Sequence, residues 1–244
     1  SGRRFVLVVA PDKSTVFPQH LPAGYADKEC AQAVLNPFWS QVTNVDGAID
    51  LRAGLQSLAR SGPVYYPQDT HWDDQGALYM LRSVVDQIDP TATTNWRTQP
   101  AARVSGPADL AALTGQPANE VDQTYRLFPD GVTDRTGKLA GDLSVPMTVH
   151  STPTAGMVSG PVTVLGDSFL IPATRYLPAA FSDVTELNYG SAASEPGLVE
   201  SAMTTAKTVV LEVVERNLTA GTAPVLEPQV IAGIRAALAS HPMR

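Results

Sequence analysis

Three runs of apolar, largely β-branched residues constrain the fold more than any other feature: FVLVVA at 5–10, PVTVL at 161–165 and KTVVLEVV at 207–214. A strand with one wet face alternates apolar and polar residues, whereas a nearly continuous apolar run implies burial on both faces, as in a parallel sheet covered by helices. The segments between these runs carry helical spacing. Ile49, Leu51, Leu55 and Leu58 predict a helix over 47–60, broken by Gly62-Pro63. Leu78, Leu81, Val84, Val85 and Ile88 predict a helix after Trp72 that stops at Asp89-Pro90. Further helices are expected over 25–35, from Ser168 to about Phe181, over 195–206 and over 228–240. Short strands are expected at Val64–Tyr66 and Val184–Leu187, and a loop at 11–24. Strands alternating with helices give an α/β fold with a mostly parallel sheet and helices on both faces. Residues 91–160 are rich in Thr, Pro, Ala and Gly and show little periodicity. They read as an irregular insertion or cap, holding a short helix near 107–113 and a β-hairpin, within one domain that spans 1–244.

Charge narrows the function. The chain carries a formal net charge of -7, and its longest basic run is Arg3-Arg4, which argues against a nucleic-acid binder. Its single cysteine, Cys30, cannot close an intrachain disulfide and has no Cys or His partner at metal-ligand spacing. No stretch reaches the roughly 18 apolar residues that span a bilayer. The sequence opens on Ser1-Gly2 and enters a strand almost at once, so an N-terminal export signal or membrane anchor ahead of it is expected.

Two motifs carry chemistry. In Val164-Leu165-Gly166-Asp167-Ser168-Phe169 a buried strand runs into a serine at the start of a helix. Ligands of an open parallel sheet sit beyond the carboxyl ends of its strands, and the amides of a helix N-terminus can stabilise an oxyanion. A Ser or Asp in that place is also a routine helix cap. The second motif, Asp69-Thr70-His71, follows the short strand at 64–66. It can set a carboxylate beside the imidazole Nδ1 and leave Nε2 for a serine; it can equally be a cap beside a half-buried histidine. Both motifs fall at carboxyl ends of expected strands. Of the four histidines, His20 and His150 lie in Pro-rich loop contexts and His241 lies at the tail.

The order of these segments resembles the alginate O-acetyltransferase family of SGNH hydrolase-like domains (AlgJ and AlgX type). The matching stretches are APDKST at 10–15 running to Pro18, DTHWDDQGA at 69–77, GDL at 141–143, GDSF at 166–169 and VVERNL at 213–218, which together span nearly the whole chain. His71 precedes Ser168, the permuted motif order of that family. The resemblance implies an SGNH-hydrolase-like (flavodoxin-like) fold and a triad of Ser168, His71 and Asp69. It also implies a periplasmic or other extracytoplasmic domain that works with a membrane-bound O-acyltransferase. Ordinary SGNH hydrolases add a Gly and an Asn as oxyanion donors; Asn188 and Asn217, each following a strand, are the candidates here. Tyr176, with Arg175, is a candidate for the pocket wall or for helix packing. Trp72, with Tyr65-Tyr66, could stack on a sugar or pack in the core. Lys13 could meet a substrate anion or pair with Asp12, and Arg216 is a further substrate candidate or a partner of Glu215.

The reading is therefore an O-acetyltransferase acting on a cell-envelope or secreted polysaccharide or glycolipid, through an acetyl-serine intermediate. The same triad would serve a carbohydrate acetyl esterase, and a weakly active carbohydrate-binding scaffold could retain it. No cofactor and no metal are expected, since three of the four histidines are scattered and no cysteine cluster exists.

Overall fold

The fold is described from a computed structural model covering residues 1–118, 120–140 and 143–243. Its strands are β1 Arg4–Ala10, β2 Ala48–Asp50, β3 Arg97–Ser105, β4 Val121–Phe128, β5 Met147–His150, β6 Val158–Gly166, β7 Phe181–Asn188 and β8 Thr208–Val214. Its helices are α1 Lys13–Val16, α2 Lys28–Val42, α3 Arg52–Leu58, α4 Asp74–Ile88, α5 Asp109–Thr114, α6 Leu177–Ala180, α7 Ser191–Ser194, α8 Pro196–Thr205, α9 Glu215–Thr219 and α10 Pro228–Ser240. Among the described residues the main sheet has six strands in the order β2-β1-β8-β6-β7-β5, parallel throughout except for β5.

The three apolar runs form its centre, β1, β8 and β6, as their composition demands. Their side chains alternate between two cores. Val6, Val8, Val162, Val164 and Val210 face one side with Met80, Leu81, Val84 and Val85 of α4. Val209, Leu211 and Val213 face the other, against Val199 and Met203 of α8 and Val230 of α10. Val9, on that second side, packs on Trp39 and Val42 of α2. Helices thus cover both faces. Each such side chain, fully buried, contributes roughly 1.5–3 kcal/mol of transfer free energy.

Several elements differ from the sequence expectation. The stretch 47–60 divides: Ala48–Asp50 is an edge strand paired with Leu7–Val9, and the helix begins only at Arg52. Val64–Tyr66 makes no strand; Tyr65 and Trp72 form an isolated bridge that closes a tight loop. The segment 11–24 is not all loop, since it holds α1 and a 3-10 turn at Pro18–His20. The helix expected over 25–35 runs from Lys28 to Val42, extended by the burial of Trp39 and Val42. The helix after Ser168 is a 3-10 helix to Tyr176, with Pro172 inside it, and only then α6. Residues 91–160 are more regular than expected. They hold the antiparallel ribbon β3–β4 with α5 between its strands, and β5, which joins the edge of the main sheet. Gly141-Asp142, which belong to the matching GDL segment, lie outside the described residues.

One core residue breaks the apolar pattern. Glu186 of β7 sits between Val164 of β6 and Met147 of β5, fully buried, and neither carboxylate oxygen has a hydrogen-bond partner among the described residues. Burial pushes its carboxyl up to about 8. The native state then holds this proton up to pH about 8, whereas the unfolded chain releases it above the ordinary value of 4.5. Stability present below pH 4.5 is therefore lost as pH rises from 4.5 to 8, by on the order of 5 kcal/mol for this group. Glu186→Gln is expected to be more stable than wild type at pH 8 and to show a flatter stability–pH curve between 5 and 8. Urea unfolding of both proteins at the two pH values checks this; parallel curves would contradict it.

Candidate active site

The parallel strands β1, β6, β7 and β8 end at one edge of the sheet, which brings together the segments that follow Ala10, Gly166, Asn188 and Val214. Ser168 opens the 3-10 helix there, on an exposed position. Asp167 holds the turn. One of its oxygens accepts from Phe169 N (2.9 Å), and the other from Val214 N (2.9 Å) and the Tyr189 hydroxyl (3.2 Å). The fully buried Glu212 of β8 accepts from Asp167 N (3.1 Å). Burial, with Asp167's charge close by, pushes Glu212's carboxyl well above the usual range and so favours its protonated form. Gly166 is required by this packing: a Cβ there would lie 2.7 Å from Leu170 Cδ2 and 2.9 Å from Glu212 Oε2.

His71 arrives from the loop at 64–73, closed by Tyr66 N to His71 O (3.1 Å) and Asp73 N to Val64 O (3.1 Å). Asp73 then starts α4 by capping Gln75 N and Gly76 N (2.8 and 3.0 Å). Lys13, the first residue of α1, pins the loop: its ammonium donates to the carbonyls of Tyr66, Pro67 and Asp69 at 2.7, 2.9 and 3.0 Å. Burial lowers the Lys13 pKa, against the charges of Asp69 and Asp109, which raise it. Trp72 locks this loop to the other motif by donating to Phe169 O (2.6 Å) and packing edge-on against the Phe169 ring.

The result is one continuous line. Asp69 Oδ1 lies 2.5 Å from His71 Nδ1, and His71 Nε2 lies 2.8 Å from Ser168 Oγ. The same Oδ1 accepts from His71 N (2.9 Å), and Oδ2 accepts from Asp109 N (2.8 Å). Burial alone would raise the Asp69 carboxyl; the hydrogen bonds from His71 and Asp109, with the imidazole charge, outweigh it and bring it down to about 2. Asp69 is thus an anion at any working pH. With Nδ1 bonded to that anion, the imidazole presents Nε2 to the serine, the arrangement a nucleophilic hydroxyl needs.

Asp69, His71 and Asp109 also bring three ligand atoms within 4.8 Å of one another. A cation there would have to displace existing bonds. The Asp69 oxygens are taken by the imidazole and two amides, and the Asp109 carboxylate accepts from Thr70 N (2.8 Å) and from the Thr70 hydroxyl.

The remaining sequence candidates divide. Asn188, at the end of β7, lines a cleft of about 370 Å³ with Ser168, Leu143 and Gly190. Its carboxamide oxygen accepts from Gly190 N (2.7 Å), which turns the NH2 end toward other partners. Asn217 instead donates to the Tyr189 hydroxyl (2.7 Å), behind Asp167, so it supports the serine turn. Tyr176 is buried and donates to Asp74 Oδ1 (2.5 Å), with Arg175 3.5 Å from the same oxygen; neither lines the cleft of Ser168. Trp72, Tyr65 and Tyr66 are buried and form no wall for a sugar. Lys13 is committed to three carbonyls rather than to Asp12. Arg216 pairs with Asp12 (2.6 Å) and not with Glu215, and its guanidinium lies 5.0 Å from the Phe169 ring centre. Glu215 faces inward, accepting from Asp12 N, Thr15 Oγ1 and Trp39 Nε1. Asp109 escaped the sequence reading. It is far from His71 in sequence, and no motif marks it.

The sheet order, the serine at a strand end and the Asp-x-His loop facing it define an SGNH hydrolase-like α/β domain. The family model for the SGNH hydrolase-like domain of acetyltransferase AlgX matches residues 1–173, and the chain belongs to that family. No curated protein sequence matches it. Among solved structures it is similar to the O-acetyltransferase domain of Pseudomonas putida AlgJ, at 21% identity over 96% of this chain and 83% of that one, with a TM-score of 0.61. Bacillus cereus PatB1, solved with a sulfonyl adduct, is 13% identical over 89% of this chain and 83% of that one, with a TM-score of 0.61. Pseudomonas aeruginosa AlgX is 14% identical over 87% of this chain and 51% of that one, at 0.50. At these identities the likeness is one of fold.

Proposed function

We propose that this chain is a serine-dependent O-acetyltransferase that modifies a polysaccharide or glycolipid outside the cytoplasm. The observation that carries the reading is the hydrogen-bonded line from Asp69 through His71 to Ser168 in a member of an acetyltransferase family. His71 Nε2 takes the Ser168 proton as Oγ attacks the acetyl carbonyl. The Asn188 side-chain NH2 and the Ser168 backbone amide serve as the oxyanion donors, since the Phe169 and Leu170 amides bond to Asp167 instead. The collapsing intermediate expels the donor's leaving group, which takes the proton from His71. An acceptor hydroxyl then gives its proton to His71 and attacks acetyl-Ser168, which releases the acetylated sugar and restores the serine. Throughout, Asp69 holds Nδ1–H and offsets the imidazolium charge.

An extracytoplasmic enzyme has no ready acetyl-CoA, so a membrane-bound O-acyltransferase is the natural source of acetyl groups. An anchor beyond the N-terminal residue would hold the domain near that partner; no described helix is itself long and apolar enough to cross a membrane. The test is the product. Incubation with an activated acetyl ester and an acceptor glycan, in the presence of a chelator, is expected to give acetylated glycan in excess of free acetate. Acetate alone, at the same rate with or without glycan, would make the protein an esterase. Activity lost to the chelator and restored by metal would remove the serine mechanism.

A further inference from the structure

An acceptor hydroxyl must reach both the acetyl group on Ser168 and His71 Nε2, so the acceptor has to lie in a space that Ser168 itself walls. The cleft of about 370 Å³ meets this condition, with Ser168 and Asn188 in its wall. The wall continues past Asn188 along α7 and into the start of α8, through Ser191, Ser194 and Glu195. Its volume stands at the small end of the range for ligand clefts, which suits one sugar residue with the rest of a glycan outside.

Glu195 sets the character of this wall. Among the described residues that line the cleft it is the one charged group, with no Lys, Arg, His or aromatic ring beside it. It stands immediately before α8 but makes no capping bond to that helix. The usual residues in such a place are Ser, Thr, Asp and Asn, whose shorter side chains reach the helix amides. The Glu195 side chain is exposed, and its carboxylate has no hydrogen-bond or ion-pair partner among the described residues. Its full accepting capacity is therefore left to whatever enters the cleft. A carboxylate only accepts, sugar hydroxyls donate, and a hydrogen bond to an ionised acceptor is stronger than one to a neutral acceptor. Ser191 and Ser194 add hydroxyls to the same wall. A ring that turned a carboxylate of its own toward Glu195 would meet a like charge, with no cation in the described wall to offset it.

We propose that Glu195 is the acceptor-recognising residue of the Ser168 cleft, where its carboxylate takes hydrogen bonds from the hydroxyls of a neutral sugar ring. This rests on the acetyl-transfer reading above, and the test separates the two. In the transfer step an acceptor oxygen bonds to the acetyl carbon as its proton passes to His71 Nε2. The bond from that carbon to Ser168 Oγ breaks, and Oγ recovers the proton. Glu195 takes no part in these bond changes, so its replacement should appear in the acceptor KM rather than in kcat. The probes are p-nitrophenyl acetate as donor, with neutral gluco-, galacto- and manno-oligosaccharides or oligouronates as acceptors. Glu195 is exposed and its side chain is unpartnered among the described residues, so Glu195→Gln and Glu195→Lys should both fold normally. Wild type should acetylate at least one neutral oligosaccharide. Glu195→Gln should raise that acceptor's KM about three- to tenfold, the scale of a charge-assisted hydrogen bond weakened to a neutral one, with kcat at saturating acceptor within twofold. Glu195→Lys should raise it at least as much, and should shift the ratio of oligouronate to neutral kcat/KM about tenfold or more toward the oligouronate. No acetylated neutral product from wild type, or an acceptor KM unchanged in both variants, would overturn the assignment. So would a fall in acceptor-free ester cleavage as large as the rise in KM, which would place Glu195 in the serine chemistry or the fold. Failure of wild type to cleave the ester at all would fall on the acetyl-transfer reading instead.

Discussion

Ser168→Ala is expected to lower ester cleavage and acetyl transfer by about 10³-fold or more, the scale seen when a nucleophile is removed. The loss should be chemical rather than structural. Ser168 is exposed and its hydroxyl bonds to His71, while the turn that carries it is held by Asp167 and Glu212. Its thermal stability should therefore stay within about 0.5 kcal/mol of wild type. Retention of more than a tenth of the wild-type rate would mean that another group attacks the acetyl carbonyl.

Asp69→Asn should cost about 10⁴-fold in kcat, comparable to the loss when a triad carboxylate becomes an amide. The substitution keeps the shape, and its one carbonyl oxygen, in the Oδ2 place, can still accept from the Asp109 amide, while the bond from the His71 amide to Oδ1 is lost. What it removes is the anion facing Nδ1. An amide NH2 in that place favours the tautomer with the proton on Nε2, which then cannot accept from Ser168. Circular dichroism should be unchanged. Full activity in this variant would reduce Asp69 to a structural member of the loop at 64–73.

What the sequence revealed and what it concealed follow from where each element's energy lies. β1, β6 and β8 were legible because strands buried on both faces must be apolar along their length. Ser168, His71 and Asp69 were legible because their segments retain a family's order. The β3–β4 ribbon was legible only as a possible hairpin, since β3 is almost wholly exposed and carries no alternation. β2 was read as part of a helix because Ile49 and Leu51 fit helical spacing, while its pairing with β1 is a long-range event. Lys13, Arg216 and Trp72 were recognised as unusual, but their partners lie 53 to 204 residues away, where only the folded chain brings them. Asp109 gave no signal for the same reason: its amide, present in any residue but proline, is what meets Asp69.

The central claim is that Ser168 carries the acetyl group. Its most direct measurement is acid-quenched mass spectrometry of the protein after brief exposure to an activated acetyl ester without acceptor, followed by peptide mapping. The expected result is one acetyl group on the peptide that contains Ser168, absent in Ser168→Ala and discharged when acceptor glycan is added before the quench. Acetyl groups found elsewhere, or transfer to glycan that proceeds undiminished in Ser168→Ala, would contradict it.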